Sequence, residues 1–240
     1  KWVQAYGTPY KDEDDNVIWD TLLLDVTQQV NTERDKEVLL KEVHHRVKNN
    51  LAIISGLLTL EMYGMNEDQA KLPLQRSINR IQSMAKVHEL LYDTSSFSSI
   101  NLRDYLQQLS AVVRNTFDVE DQVQVLFDLD DLEANINVAI PLGMLVNELM
   151  TNSFKYAFEN GQGKINIGIS KENGHYHVSY RDNGKGFDHE PDLSAPETLG
   201  LTIISTLLKQ LGADYRLHTD NRFVLEFDFE KTLKGSHGNM

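Results

Sequence analysis

The 240-residue sequence contains no cysteine, which excludes disulfides, thiolate metal sites and cysteine nucleophiles. It is short of basic side chains as well, with 23 Lys and Arg against 36 Asp and Glu and a formal net charge of −13. A surface of that sign has no broad field with which to neutralise a phosphodiester backbone, so no nucleic-acid partner is expected. Missing too is any apolar run near the ~20 residues that cross a bilayer, and Lys1-Trp2-Val3 does not open like a secretory signal. The chain therefore reads as cytoplasmic with no membrane segment of its own, a reading compatible with an anchor further upstream.

What is present is an ordinary globular composition, 40% apolar and 25% charged, long enough for one large core or two smaller ones. The acidity is uneven: residues 1–95 carry 11 basic and 15 acidic groups, residues 96–240 carry 12 and 21. An anion bound by the second half would need a metal and local backbone donors.

Residues 1–26 read as two β segments, Trp2 to Tyr6 and Val17 to Val26, around the turn-rich Lys11-Asp12-Glu13-Asp14-Asp15-Asn16. Two strands alone cannot make a stable core, so this is read as the end of a larger domain. From Thr27 the pattern becomes helical. Leu40, Val43, Val47, Leu51, Ile54 and Leu58 form one apolar stripe on a helix from Gln28 to about Tyr63, and Leu74, Ile78, Ile81, Ala85, His88 and Leu91 trace a second to about Tyr92. Such an antiparallel hairpin needs a partner for its stripes, most simply a four-helix bundle formed by dimerisation. Asp93 to Ser99 is a polar linker and domain boundary. Beyond it the sequence predicts helices at Asn101–Phe117, with Asn101 and Asp104 as a capping pair, at Ile140–Phe158 and at Leu199–Leu211. Strands are predicted at Val123–Leu129, Lys164–Ser170, His175–Arg181, Asp214–Thr219 and Phe223–Phe229, which together make an α/β sandwich.

Four segments can carry chemistry. In His44-His45-Arg46-Val47 on the first long helix, stepping 100° per residue from Val47 puts His44 about 60° and His45 about 160° from the centre of the stripe. His45 therefore faces solvent with Asn49 on its side, whereas His44 sits at the packed flank. An exposed imidazole can serve as a pH switch, metal ligand or nucleophile. In Asn147-Glu148-Leu149-Met150-Thr151-Asn152-Ser153-Phe154-Lys155-Tyr156-Ala157-Phe158, the four- and three-residue steps put Glu148, Asn152 and Lys155 on one helix face. That face suits a hydrated magnesium ion and the phosphates it bridges, and equally a solvated polar surface. Asp182-Asn183-Gly184-Lys185-Gly186-Phe187 follows a strand. It lets backbone approach a flat ligand whose exocyclic amine the carboxylate can accept, although Asn-Gly after a strand is also an ordinary turn. Thr198-Leu199-Gly200-Leu201-Thr202 opens a helix whose N-terminal N–H groups can hold an anion without basic side chains.

Taken in order and spacing, the run Asn-Glu-Leu-x-x-Asn-Ser-x-Lys-Tyr-Ala-Phe, then Asp-x-Gly-x-Gly-Phe, then Leu-Gly-Leu resembles the ATP-binding domain shared by histidine kinases, gyrase, Hsp90 and MutL, the Bergerat or GHKL fold. The resemblance implies that Asn152 ligates Mg2+ and Asp182 recognises the adenine of ATP. It further implies that Gly184, Gly186, Gly200 and Leu201 line the nucleotide pocket and its lid, with Lys155 reaching the phosphates and Tyr156 beside the nucleotide. The upstream His-His-Arg-Val-Lys-Asn-Asn-Leu is similar to the dimerisation and phosphotransfer helix of the HisKA_2 kinases, which are related to the HWE kinases, and in that pattern His45 is the phosphoacceptor. Asp25-Val26-Thr27 resembles the junction between a PAS domain and a signalling helix.

The implied domains are 1–26, the last strands of a PAS sensor whose chromophore or ligand is unknown; 27–95, the signalling helix and phosphotransfer hairpin; and 96–234, the catalytic ATP-binding domain. Residues 235–240 read as a tail, native or left over from expression. The implied function is a sensor histidine kinase that works as a homodimer and passes phosphate to the receiver domain of a response regulator. The alternatives are a nucleotide-gated conformational ATPase and an anti-sigma-like serine kinase, neither of which needs the hairpin. Arg46 follows His45 where most histidine kinases have glutamate, which leaves Glu148 as the candidate base or as an orienter of water around the metal. The lid between Phe187 and Gly200 is only about a dozen residues, and Arg222 stands before Phe223 where a threonine often helps to hold adenine.

Overall fold

The computed structural model describes residues 1–65, 68–90, 100–117, 119, 122–158, 161–187, 191–219 and 222–230. The linker at 93–99 and the tail at 235–240 lie outside the described residues. Two compact units result, residues 1–46 and 47–240.

In the first unit, β1 (Val3–Lys11) and β2 (Val17–Asp25) pair antiparallel from Val3↔Asp25 to Lys11↔Val17. Asp12 closes the turn by accepting from the N–H groups of Asp14 and Asn16, and Asp15 adopts a left-handed φ of 64°. Strand β1 runs further than the expected Tyr6, because nothing interrupts pairing until that turn. Every residue of both strands is exposed. Helix α1 (Thr27–Gly64) starts where Asp25 accepts from the Thr27 N–H at 2.9 Å, and the Thr27 hydroxyl in turn accepts from the Trp2 N–H at 2.8 Å.

The second unit begins within α1 and continues with α2 (Asp68–Leu90). Ile78 and Val87 are buried, Ser55 of α1 is buried too, and Lys48 reaches Glu89 of α2 at 3.1 Å. The opposite side of α1 stays apolar and exposed at Ile53, Leu57 and Leu60.

Next come β3 (Ile100–Asn101), α3 (Leu102–Phe117), β4 (Val123–Leu129), β5 (Glu133–Ala134) and α4 (Ile136–Asn152), followed by a π-helical turn (Ser153–Ala157). Strands β6 (Gly163–Glu172) and β7 (His175–Asp182), helix α5 (Leu199–Leu211), and strands β8 (Asp214–His218) and β9 (Phe223–Glu230) complete the unit. The main sheet has the order β4-β6-β7-β9-β8; β4 and β6 are parallel and every other pair is antiparallel. Strand alternation sends Ile165, Ile167 and Ile169 of β6, Tyr176, Val178 and Tyr180 of β7, and Leu225, Phe227 and Phe229 of β9 into one core with Leu142, Leu145 and Leu149 of α4.

Three further features depart from the expectations. Helix α4 begins at Ile136 rather than Ile140, because the Asn135 side chain caps it by accepting from the Asn137 N–H, with Pro141 already inside the helix. Its α-helical part ends at Asn152 rather than Phe158, since a wide turn takes over where Ser153 is drawn toward β7. Asn101 does cap α3 by accepting from the Asp104 N–H at 3.1 Å, but it also belongs to the small β3–β5 ladder, which the sequence pattern did not reveal.

Candidate nucleotide site

A cavity of about 580 Å³ opens between α2, the end of α4, the loop after β7 and the start of α5, within the size range of small-molecule sites. Its floor is Asp182, only 4% exposed at the end of β7. Oδ2 of Asp182 accepts from the Ser153 hydroxyl at 2.6 Å, and Oδ1 from the Gly184 N–H at 3.0 Å. Tyr180 sits 2.8 Å from the same Ser153 hydroxyl. Burial pushes the Asp182 carboxyl up, while the hydrogen bonds from Ser153, Gly184 and the Phe223 backbone pull the other way.

Gly184 and Gly186 shape the wall beside it. A Cβ on Gly184 would fall 2.3 Å from the Ala157 Cβ, and Gly186 holds a φ of 72° with its would-be Cβ 2.4 Å from the Thr219 carbonyl. The Ala157 carbonyl, released by the wide turn, accepts from the Lys185 N–H at 3.1 Å. The π turn and the Asp182 loop are thus one hydrogen-bonded piece.

At the other end, Asn152 closes α4 and lines the cavity with Lys155 and Tyr156. Lys155 lies over the Phe117 ring, 5.4 Å from its centroid. Gly200 and Leu201 line the opposite wall in the first turn of α5, which Thr198 caps by accepting from the Leu201 N–H. A Cβ on Gly200 would stand 3.5 Å from the Asn152 amide, so the bare glycine keeps that corner open.

Glu148 does not face solvent. It is 1% exposed, one turn behind Asn152, and its Oε1 accepts from the Nε of Arg80 at 2.8 Å. Oε2 is buried and makes no hydrogen bond among the described residues. Burial raises its pKa, with Arg80 and then Lys155 pulling it down. The polar-surface alternative for this face is therefore corrected at Glu148. On α1, His45 is exposed and His44 is half-buried, as the helix phase predicts, and burial lowers the pKa of His44.

Asn152, Lys155, Tyr156, Asp182, Gly186, Gly200 and Leu201 share the cavity, whereas Glu148 and Gly184 stand behind its lining. Sequence reasoning missed Arg80 and Ser153. Arg80 carries no local signal, because its partner lies 68 residues away; Ser153 stood inside the Asn-Ser pair, whose serine was given no task. For magnesium, the Asn152 amide oxygen stands at the cavity with the orphaned Glu148 oxygen behind it, and there is no group of three or more carboxylates and histidines among the described residues. That set fits a cation that arrives bound to phosphates and keeps its waters, not a resident ion in a protein cage.

A mixed sheet backed by helices, with a cavity of nucleotide size lined by a buried aspartate and a helix N-terminus, defines an ATP-binding sandwich of the GHKL class joined to a helical hairpin. Residues 42–117 match the family model described as histidine kinase (HisKA_2), and residues 137–231 match that of the histidine kinase-, DNA gyrase B- and HSP90-like ATPases. The two matched segments are those of a histidine kinase, a helical hairpin followed by an ATP-binding lobe. It is 29% identical over 194 residues to the sensor histidine kinase PdtaS of Mycolicibacterium smegmatis, covering 78% of this chain and 38% of that one. It is 24% identical over 220 residues to blue-light-activated histidine kinase 2 of Erythrobacter litoralis, covering 89% of this chain and 63% of that one. The fold is similar to the histidine kinase domain of the Erythrobacter litoralis EL346 blue-light-activated kinase, with a TM-score of 0.58 at 18% identity, covering 77% of this chain and 95% of the other. No described helix is long and apolar enough to cross a membrane.

Proposed function

We propose that this chain is the output part of a sensor histidine kinase, an ATP:protein-histidine phosphotransferase that acts in the cytoplasm. The observation that carries the proposal is one chain holding both an exposed histidine on a long helix and a cavity built from Asp182 to Asn152. Asp182 accepts from the adenine amine. Asn152 would hold the magnesium that comes with ATP, an ion that would neutralise charge on the phosphates, while Lys155, Tyr156 and the first turn of α5 flank the nucleotide. Gly184, Gly186, Gly200 and Leu201 let backbone approach it. The unprotonated nitrogen of His45 attacks the γ-phosphorus in line, the bond to the bridging oxygen breaks, and ADP leaves. The phosphoryl group then moves from His45 to an aspartate of a receiver domain, breaking the P–N bond and forming an acyl phosphate.

Glu148 stands one turn from Asn152, where it can take a proton or orient water. The hairpin supports a homodimer, because apolar residues of α1 are exposed in the single chain. Residues 1–26 are proposed as the end of a PAS sensor, 27–95 as signalling helix and phosphotransfer hairpin, and 96–234 as the catalytic domain. The match of residues 42–117 to the histidine kinase model disfavours the conformational ATPase and the serine kinase.

The test is incubation with γ-labelled ATP. Wild type and His44→Ala should acquire acid-labile label and His45→Ala none; label retained in His45→Ala would refute the assignment. Asn152→Ala should lose label with His45 intact.

A further inference from the structure

The second hairpin helix enters the nucleotide cavity. Pro73, Ser77 and Arg80, spaced four and three apart on one face of α2, line it together with Asn152 and Gly200. Arg80 is fixed there at one edge: its Nε donates to Glu148 at 2.8 Å, and its side chain is 17% exposed against 2% for the glutamate. Its Nη2 reaches across to α5, 3.2 Å from where a Cβ on Gly200 would stand, and the Asn152 amide lies 3.5 Å from that same point. A guanidinium, the proposed metal-binding amide and a helix N-terminus therefore meet at one corner of the cavity that Asp182 also lines.

We propose that Arg80 is a phosphate-binding residue, delivered by the hairpin to the terminal phosphates of a nucleoside triphosphate, with Glu148 as the residue that positions it. The inference rests on the nucleotide reading of the cavity and extends it to a residue outside the ATP-binding domain. Guanidinium offers its donors in a planar fork that matches phosphate oxygens. With Nε committed to Glu148, the outer edge is pre-aimed, and less side-chain entropy is lost on binding. The buried carboxylate thereby acquires a purpose that needs no exposure to solvent. A domain with a net charge of −9 gains a cation at the most anionic part of its ligand. Because the donor comes from α2, triphosphate binding and docking of the hairpin on the lobe favour each other to the same extent.

The experiment compares the full chain with Arg80→Ala and Arg80→Lys, measuring calorimetric affinities for the magnesium complex of a non-hydrolysable ATP analogue, for ADP and for adenosine. Arg80→Ala should weaken the triphosphate on the order of tenfold or more, ADP less, and adenosine not at all, with Arg80→Lys in between. Since Arg80→Ala leaves Glu148 buried without its partner, the Arg80→Ala/Glu148→Gln pair is measured too. It should fold and show the same selective loss. Unchanged or tighter triphosphate binding in either variant overturns the proposal, as does equal weakening of all three ligands. Failure of the wild-type chain to bind the triphosphate would instead overturn the nucleotide reading, a result distinguishable from the first.

Discussion

Asp182 illustrates what burial does to a recognition group. Its folded-state pKa is raised, so the native lobe binds this proton more tightly than the unfolded chain does, and the ionised carboxylate lowers stability at neutral pH. That cost is complete above the raised value and disappears as pH falls from there to the ordinary carboxylate range. Asp182→Asn keeps an acceptor for the Gly184 N–H, so its thermal midpoint should equal or exceed that of wild type at pH 8, with the difference shrinking toward pH 4. It should nevertheless lose nucleotide affinity by about tenfold or more, because the adenine amine is left without its acceptor. Loss of folding together with loss of binding would show that the carboxylate is structural. His45 was legible beforehand because helix phase alone decides which of two adjacent histidines faces water. Arg80 was not, since only tertiary packing tells an arginine whether it meets solvent or a glutamate 68 residues distant.

Strand β4 at Val123–Leu129 and helix α5 at Leu199–Leu211 have the predicted bounds, because alternation and the Thr198 cap are written in adjacent residues. The end of α4 is different in kind. Its change of pitch depends on Ser153 finding Tyr180 and Asp182, which are 27 and 29 residues further on, and no local periodicity contains that information. The glycine next to this turn should be intolerant of even one carbon. Gly184→Ala would drive its Cβ to 2.3 Å from that of Ala157, so nucleotide affinity should drop and the lobe should lose about 1–3 kcal/mol in denaturant titration. Leu142→Ala, in the fully buried centre of α4, should cost about 2–5 kcal/mol while leaving the cavity's polar groups in place. A Leu142→Ala loss confined to binding would mean the core has been wrongly located.

For the molecule as a whole, the second unit satisfies one side of α1 and leaves another uncovered. Leu57 and Leu60 are 61% and 70% exposed, and exposed apolar groups on a helix face are a surface for association. Leu57→Glu/Leu60→Glu should shift the chain to monomer in sedimentation velocity while nucleotide affinity stays within about twofold, because neither residue lines the cavity. Unchanged sedimentation would put the dimer contact elsewhere. The stripe legible in the sequence runs through Leu51, Ile54 and Leu58, whereas Leu57 and Leu60 lie off it, so the need for a partner was readable but not the face that stays exposed. The π turn at 153–157 carries a different kind of consequence. A π turn is in effect an α-helix that holds one residue too many, so the segment behaves as an insertion whose surplus has been put to use. Deleting a single residue there would let α4 run on as a regular helix and would remove the bulge that turns Ser153 toward β7. Ser153, Ala157 and the loop they hold would part company. Such a protein would own a more regular helix and a broken pocket, because the irregularity is what joins its two ends.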